Sequence, residues 1–136
     1  MAERIREIEY YYTTTPDEPG AGAEVLRKLK EGGVNLLACH AFPEGGRSQI
    51  DFVPADAATL RKAAREANIA LTGPKKLFLI EGDDRVGVGA ELLGKLAKAK
   101  INVTALDSVV VGDRYGSLLW VDAEDVAKAG KALGAE

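Results

Sequence analysis

Asp17, Gly20, Gly22 and Asn35 recur 67 positions later as Asp84, Gly87, Gly89 and Asn102. An aspartate accepts charge-assisted hydrogen bonds from an ammonium group, stronger than neutral ones. Glycines at a strand-to-helix turn let backbone approach a ligand with no Cβ in the way. The helix N-terminus beyond them offers unpaired N–H groups and partial positive charge to a carboxylate. An asparagine amide both donates and accepts. Acid, amide and N–H groups converging on one spot are what recognition of a zwitterion requires. Each type also has a purely local use, as helix cap, turn glycine or partner of nearby backbone. Glu18, Pro19 and Arg85 complete the candidate set. Glu18 and Arg85 occupy equivalent positions with opposite charge, so unequal sites, or one composite site fed by both copies, are expected.

The elements that must position these residues are duplicated too. Residues 17–38, "DEPGAGAEVLRKLKEGGVNLLA", laid over residues 84–105, "DRVGVGAELLGKLAKAKINVTA", agree at ten of 22 positions without a gap. One extra residue in the second hairpin then brings "IDFVPAD" over "LLWVDAE". Each copy opens with β-formers, "REIEYYYTT" or "KKLFLIEG". A helix follows with Val25, Leu26 and Leu29, or Leu92, Leu93 and Leu96, on one face. Two strands around "PEGGR" or "GDR" form a hairpin, and a second helix comes next. The first copy adds a strand, "IALT", before Gly73-Pro74.

The order β-α-β-β-α-β predicts an α+β protein of two ferredoxin-like modules, 1–72 and 73–136, each an antiparallel sheet with helices on one face. The second copy stops after its second helix and is expected to lack its last strand. Its first strand is then a bare edge, and bare edges are covered or paired, which predicts contact with another copy or chain.

Bulk composition removes several classes. A net charge of −3 and a pI near 5.3 disfavour a nucleic-acid partner. The basic run Arg61–Arg65 has the spacing of a solvated helix face. The charged start "MAERIREIEYYY" and the lack of a long apolar run argue against a leader peptide or membrane span, so a cytoplasmic protein is expected. Cys39 is the single cysteine and His40 the single histidine. As strand neighbours they point to opposite faces and cannot pair as nucleophile and base. Cys39 aligns with Leu106, which predicts a core position, while His40 aligns with Asp107 and faces a partner, ligand or solvent. No metal-binding spacing occurs, and neither a metal nor a cofactor is called for. "GAGAEV" and "GVGAEL" echo a dinucleotide loop, but both lack its third glycine and lead into a hairpin. Of Tyr10-Tyr11-Tyr12, the first and third share a face, and core packing is expected for most of the run.

Both copies resemble ACT domains, regulatory modules of amino-acid metabolism. The matching pattern is Asp17-Glu18-Pro19-Gly20, Leu26, Leu29 and Gly33-Val34-Asn35-Leu36 in the first copy. In the second it is Asp84-Arg85-Val86-Gly87, Leu93, Leu96 and Lys100-Ile101-Asn102-Val103, with Val86 and Lys100 where Pro and Gly are usual. Acid and asparagine are 18 residues apart in both. The resemblance implies a non-catalytic sensor that binds a free amino acid where two ACT units pack. It also implies a homodimer or higher homo-oligomer, and a regulated enzyme as partner. The alternative is a partner-docking or structural module without ligand affinity.

Overall fold

A computed structural model of the chain describes residues 3–136, so the first two residues of the charged start lie outside it. The elements run β1 (Arg4–Pro16), α1 (Ala21–Glu31), β2 (Leu36–Glu44), β3 (Arg47–Pro54), α2 (Ala57–Glu66) and β4 (Thr72–Asp83). They continue with α3 (Val88–Lys98), β5 (Val103–Val111), β6 (Arg114–Val121), a 3-10 turn (Ala123–Asp125) and α4 (Val126–Leu133). Two compact units result. One is continuous, Glu9–Lys75; the other is split, built from the chain up to Ile8 together with Lys76–Glu136. The junctions fall inside β1 and β4, whereas the sequence placed a single boundary between 72 and 73.

In the continuous unit the strands lie in the order β2-β3-β1-β4, with β1 and β2 antiparallel to β3. In the split unit the order is β1-β4-β6-β5, with β4 and β5 antiparallel to β6. Each unit therefore has the four strands of the ferredoxin-like plan. No strand follows α4, in line with the sequence, but the edge of β4 is not bare as expected. Its neighbour is the beginning of β1, and Ile5 from that segment is buried in the split unit's core beside Phe78, Ile80 and Leu119. The last residue is tied to the same segment: the Glu136 N–H donates to the Ile5 carbonyl at 2.9 Å. The chain fills its own vacancy.

Register removes another expectation. Tyr11 faces Phe52 and Phe78 faces Leu119, and both pairs are related by the same 67-residue shift. The second hairpin thus holds no extra residue. Even the irregularity in the ladder recurs, at Leu36/Ala38 and at Val103/Ala105.

Amphipathic helices cover each sheet as the periodicity predicts. Leu29 of α1 and Leu60 and Ala63 of α2 pack on Tyr11, Ile50 and Phe52. In the split unit Leu92 and Leu96 of α3 and Ala129 and Leu133 of α4 do the same. Leu26, expected on the inner face, is exposed, because the Val25–Leu29 stripe lies one residue to its side. Cys39 is exposed rather than in the core. It sits on the outermost strand, from which only Leu36 reaches the apolar cluster. Tyr11 and Tyr10 are buried, while Tyr12 is half-buried with the Lys75 ammonium 5.5 Å from its ring centroid. Arg61 of the basic run is exposed, yet its Nη1 donates to the Tyr11 hydroxyl at 2.7 Å.

Candidate ligand site

Both strand-to-helix turns are built on a left-handed glycine. Gly20 and Gly87 are the N-caps of α1 and α3, with φ of 88° and 85°, and no side chain caps either helix. Asp17 and Asp84 are therefore not helix caps. Asp17 accepts a bond from Ser48 Oγ at 3.3 Å, and the Asp84 N–H donates to the Asp113 carbonyl at 2.9 Å. Glu18, Pro19, Gly20, Gly87 and Gly89 are exposed, and Gly22 sits in the first turn of α1 against Ile50. These turns present uncapped first-turn N–H groups next to an exposed carboxylate.

The asparagines do not join them within a unit. Asn35 lies at the Ala55 end of β3, where its carbonyl accepts the Ala55 N–H at 2.9 Å. Asp17 lies at the opposite end, beside Ser48. The eight residues of β3 between these ends span roughly 23 Å at ~3.3 Å per step. Asn102 is displaced likewise, since Val103 pairs with Val121 whereas Asp83 pairs with Arg114. Zwitterion recognition by aspartate and asparagine of one unit is excluded by this geometry.

A cleft of about 580 Å³ opens beside the first turn in the continuous unit. Thr13, Thr14 and Thr15 of β1, Lys28 of α1, Arg47 of β3 and Ala70 of the α2–β4 loop contribute to its wall. None of the candidate residues lines it, although Pro16 and Ala21, which flank the turn, do. Thr13 and Thr15 are buried, and the Thr15 hydroxyl donates to the Pro16 carbonyl at 3.2 Å. Sequence reasoning missed Arg47 even though a signal existed: the hairpins "PEGGR" and "GDR" both end in arginine, at equivalent positions.

The split unit has a smaller cleft of about 400 Å³, lined by Glu3, Arg85, Glu91 and Lys95 among others. Its two carboxylates and its guanidinium are already paired. Arg85 donates to Glu3 at 3.2 Å and through Nε to Glu91 at 3.0 Å, so this guanidinium, expected to favour an anionic ligand, is engaged by the protein itself. Tyr115 donates its hydroxyl to Glu3. That bond, opposed by partial desolvation and aided by Arg85, holds the Glu3 carboxyl below its ordinary value. Desolvation, and then the bond to Glu3, raise the Tyr115 phenol above its own. Cys39 has no such activation, since desolvation and then Asp51 raise its thiol above the ordinary value.

Comparison with known proteins fits this architecture. No family model matches the sequence, and no curated protein matches it. Among solved structures, protein BT0572 from Bacteroides thetaiotaomicron superposes with a TM-score of 0.79 at 16% identity, over 93% of this chain and 88% of that one. The ligand-free regulatory subunit of aspartate kinase from Thermus thermophilus gives 0.65 at 19% identity, over 98% and 96%. The regulatory subunit of aspartate kinase from Thermus flavus gives 0.60 at 20%, over 98% and 94%. The fold is that of ACT regulatory domains. Among the described residues there is no helix long and apolar enough to cross a membrane and no cluster of His, Cys, Asp or Glu placed to hold a metal ion.

Proposed function

We propose that the chain is a non-catalytic regulatory module of the tandem ACT type that binds a free amino acid and acts on a partner enzyme. The observation that carries this reading is the span of the likeness. It covers nearly all of a protein described as a regulatory subunit of aspartate kinase. The uncapped N-termini of α1 and α3, each beside an aspartate, support recognition of a small polar ligand. Because Asn35 and Asn102 stand at the far ends of their units, neither joins the aspartate of its own unit in such a site.

Self-association is part of the proposal. The edge strand β5 is exposed along almost its whole length and carries Leu106, Val109, Val110 and Val111. An apolar edge of this kind invites pairing with a second copy. The test of the function is a thermal-shift screen of the twenty amino acids at millimolar concentration. A ligand of the folded state raises stability by RT ln(1 + [L]/Kd). Stabilisation by one amino acid or a related group of them is expected, weakened in the Asp17→Ala, Asp84→Ala double variant. No stabilisation by any of them favours a docking module without ligand affinity.

A further inference from the structure

The duplication supplies an internal control for the cleft beside α1. Arg47 and Arg114 occupy the same place in their units, opposite the last residue of the leading strand: Pro16 pairs with Arg47, and Asp83 with Arg114. In the split unit this guanidinium is neutralised where it stands. Arg114 Nη1 donates to Asp83 at 2.9 Å and Nη2 to Glu81 at 3.1 Å. A third carboxylate, Glu3, lies against Gly82 and is held by Tyr115 and Arg85.

A shift of 67 residues turns Glu81, Asp83 and Glu3 into Thr14, Pro16 and Ala70. All three of these line the continuous unit's cleft, and none is acidic. Arg47 retains one long bond, from Nε to Thr14 Oγ1 at 3.4 Å. Among the described residues no carboxylate stands within ion-pair distance of Arg47 or of Lys28 on the α1 wall. Glu24, the cleft's one acid, is tied to Arg27 at 2.5 Å. The continuous unit thus keeps Arg47 and Lys28, the counterparts of Arg114 and Lys95, and lacks acids at the places of Glu3, Glu81 and Asp83.

We propose that this cleft takes the carboxylate of a small organic acid. Arg47 and the Thr14 hydroxyl receive it, and Lys28 favours a second negative group on the same ligand. A guanidinium presents paired donors matched to a carboxylate, which makes it the stronger anchor of the two cations. In the split unit Glu81, Asp83 and Glu3 fill the corresponding place, so that unit is closed to the same ligand. The open mouth of the cleft leaves the contact partly screened by water, which sets the affinity on the order of millimolar. The inference rests on the reading of the chain as a ligand-binding module, but it names the ligand's acid group rather than its amine.

The experiment is a thermal-shift titration of the full chain with succinate, with uncharged succinamide as control at matched ionic strength. Succinate is expected to stabilise the protein and succinamide not. Arg47→Gln and Thr14→Glu are each expected to weaken the succinate response about tenfold or more, as loss of a charge-assisted bond implies. Thr14→Glu places in the continuous unit the acid that Glu81 provides in the split one. Thr14→Gln, which removes the hydroxyl but adds no charge, should weaken the response less than Thr14→Glu does. No shift with succinate, or an equal shift in Thr14→Glu, overturns the proposal. Succinate binding without any amino-acid response refutes the amino-acid sensor reading and leaves this one standing. An amino-acid response indifferent to both variants does the reverse.

Discussion

The continuous and split units start from one plan and part in two ways: where the fourth strand comes from, and where the acids sit. The continuous unit closes its sheet with the start of β4, which follows its own second helix in sequence. The split unit closes its sheet with the start of β1, from the other end of the chain. The same β1 segment brings Glu3 to Arg85 and Tyr115. One strand exchange therefore completes a fold and introduces one of the acids that close a cleft. The continuous unit receives an equivalent strand without the acid, because Ala70 stands where Glu3 would. Duplicated architecture can persist while only one copy stays open to a ligand.

The largest effect should come from breaking the strand exchange. Ile5 is buried among α3, α4, β4 and β6 side chains, far along the sequence from most of them. Ile5→Ala is expected to cost about 2–4 kcal/mol, the range for a buried isoleucine truncated to alanine. Hydrogen exchange should place the lost protection in Lys76–Glu136 rather than in α1 and α2. Loss confined to Glu9–Lys75 would break the comparison at its root.

Helix contact comes next. A Cβ added at Gly32 would stand 2.4 Å from Ala63 Cβ, so α1 and α2 meet too closely for any larger residue. Gly32→Ala should destabilise the protein by about 1–3 kcal/mol in denaturant unfolding. In the split unit the pair is exchanged: Ala99 holds the corresponding helix end, and Gly130 stands at the position of Ala63.

A smaller and opposite pair of effects is expected where the helices hand over to the next strand. Gly33 has φ of 76° and its counterpart Lys100 has φ of 61°, so at this turn the split unit places an L side chain in the left-handed region and the continuous unit a glycine. Lys100→Gly should raise stability by up to about 1 kcal/mol, and Gly33→Lys should lower it by about 1–2 kcal/mol. Equal responses at both positions would remove this asymmetry.

The smallest effect concerns pH. Glu3 titrates below its ordinary value, near 4.5, because the Tyr115 hydroxyl and Arg85 favour its charged form. A carboxyl depressed in the folded state contributes stability that is present above the unfolded value and lost as pH falls through the folded one. The stability difference between the protein and Glu3→Gln should be constant near neutrality and shrink as pH falls below 4.5 toward the folded value. Denaturant midpoints across pH 3–7 check it. A difference that grows on acidification would contradict the assignment.

Much of this was legible in the sequence. The ten shared residues between 17–38 and 84–105 carried the duplication, and hydrophobic periodicity carried the helices and hairpins. What escaped was non-local. "RIREIEYYY" reads as one unbroken strand, and nothing in it marks that its first residues serve the distant copy while Tyr11 serves the near one. Asp17 and Asn35 look close because 18 residues separate them, but a helix of eleven residues, about 16 Å long, carries the chain to the other end. Cys39 was read as core from its alignment with Leu106, and both prove exposed because both lie on outermost strands. Arg47 and Arg114 were visible as identical residues. Only the register opposite Pro16 and Asp83 shows that one is paired and the other is not.

The asymmetry between the units is most directly tested by the stoichiometry of carboxylate binding. Isothermal titration of the intact chain with succinate should give one site per chain, abolished by Thr14→Glu. Two equivalent sites per chain, or one site that survives Thr14→Glu, would contradict the account.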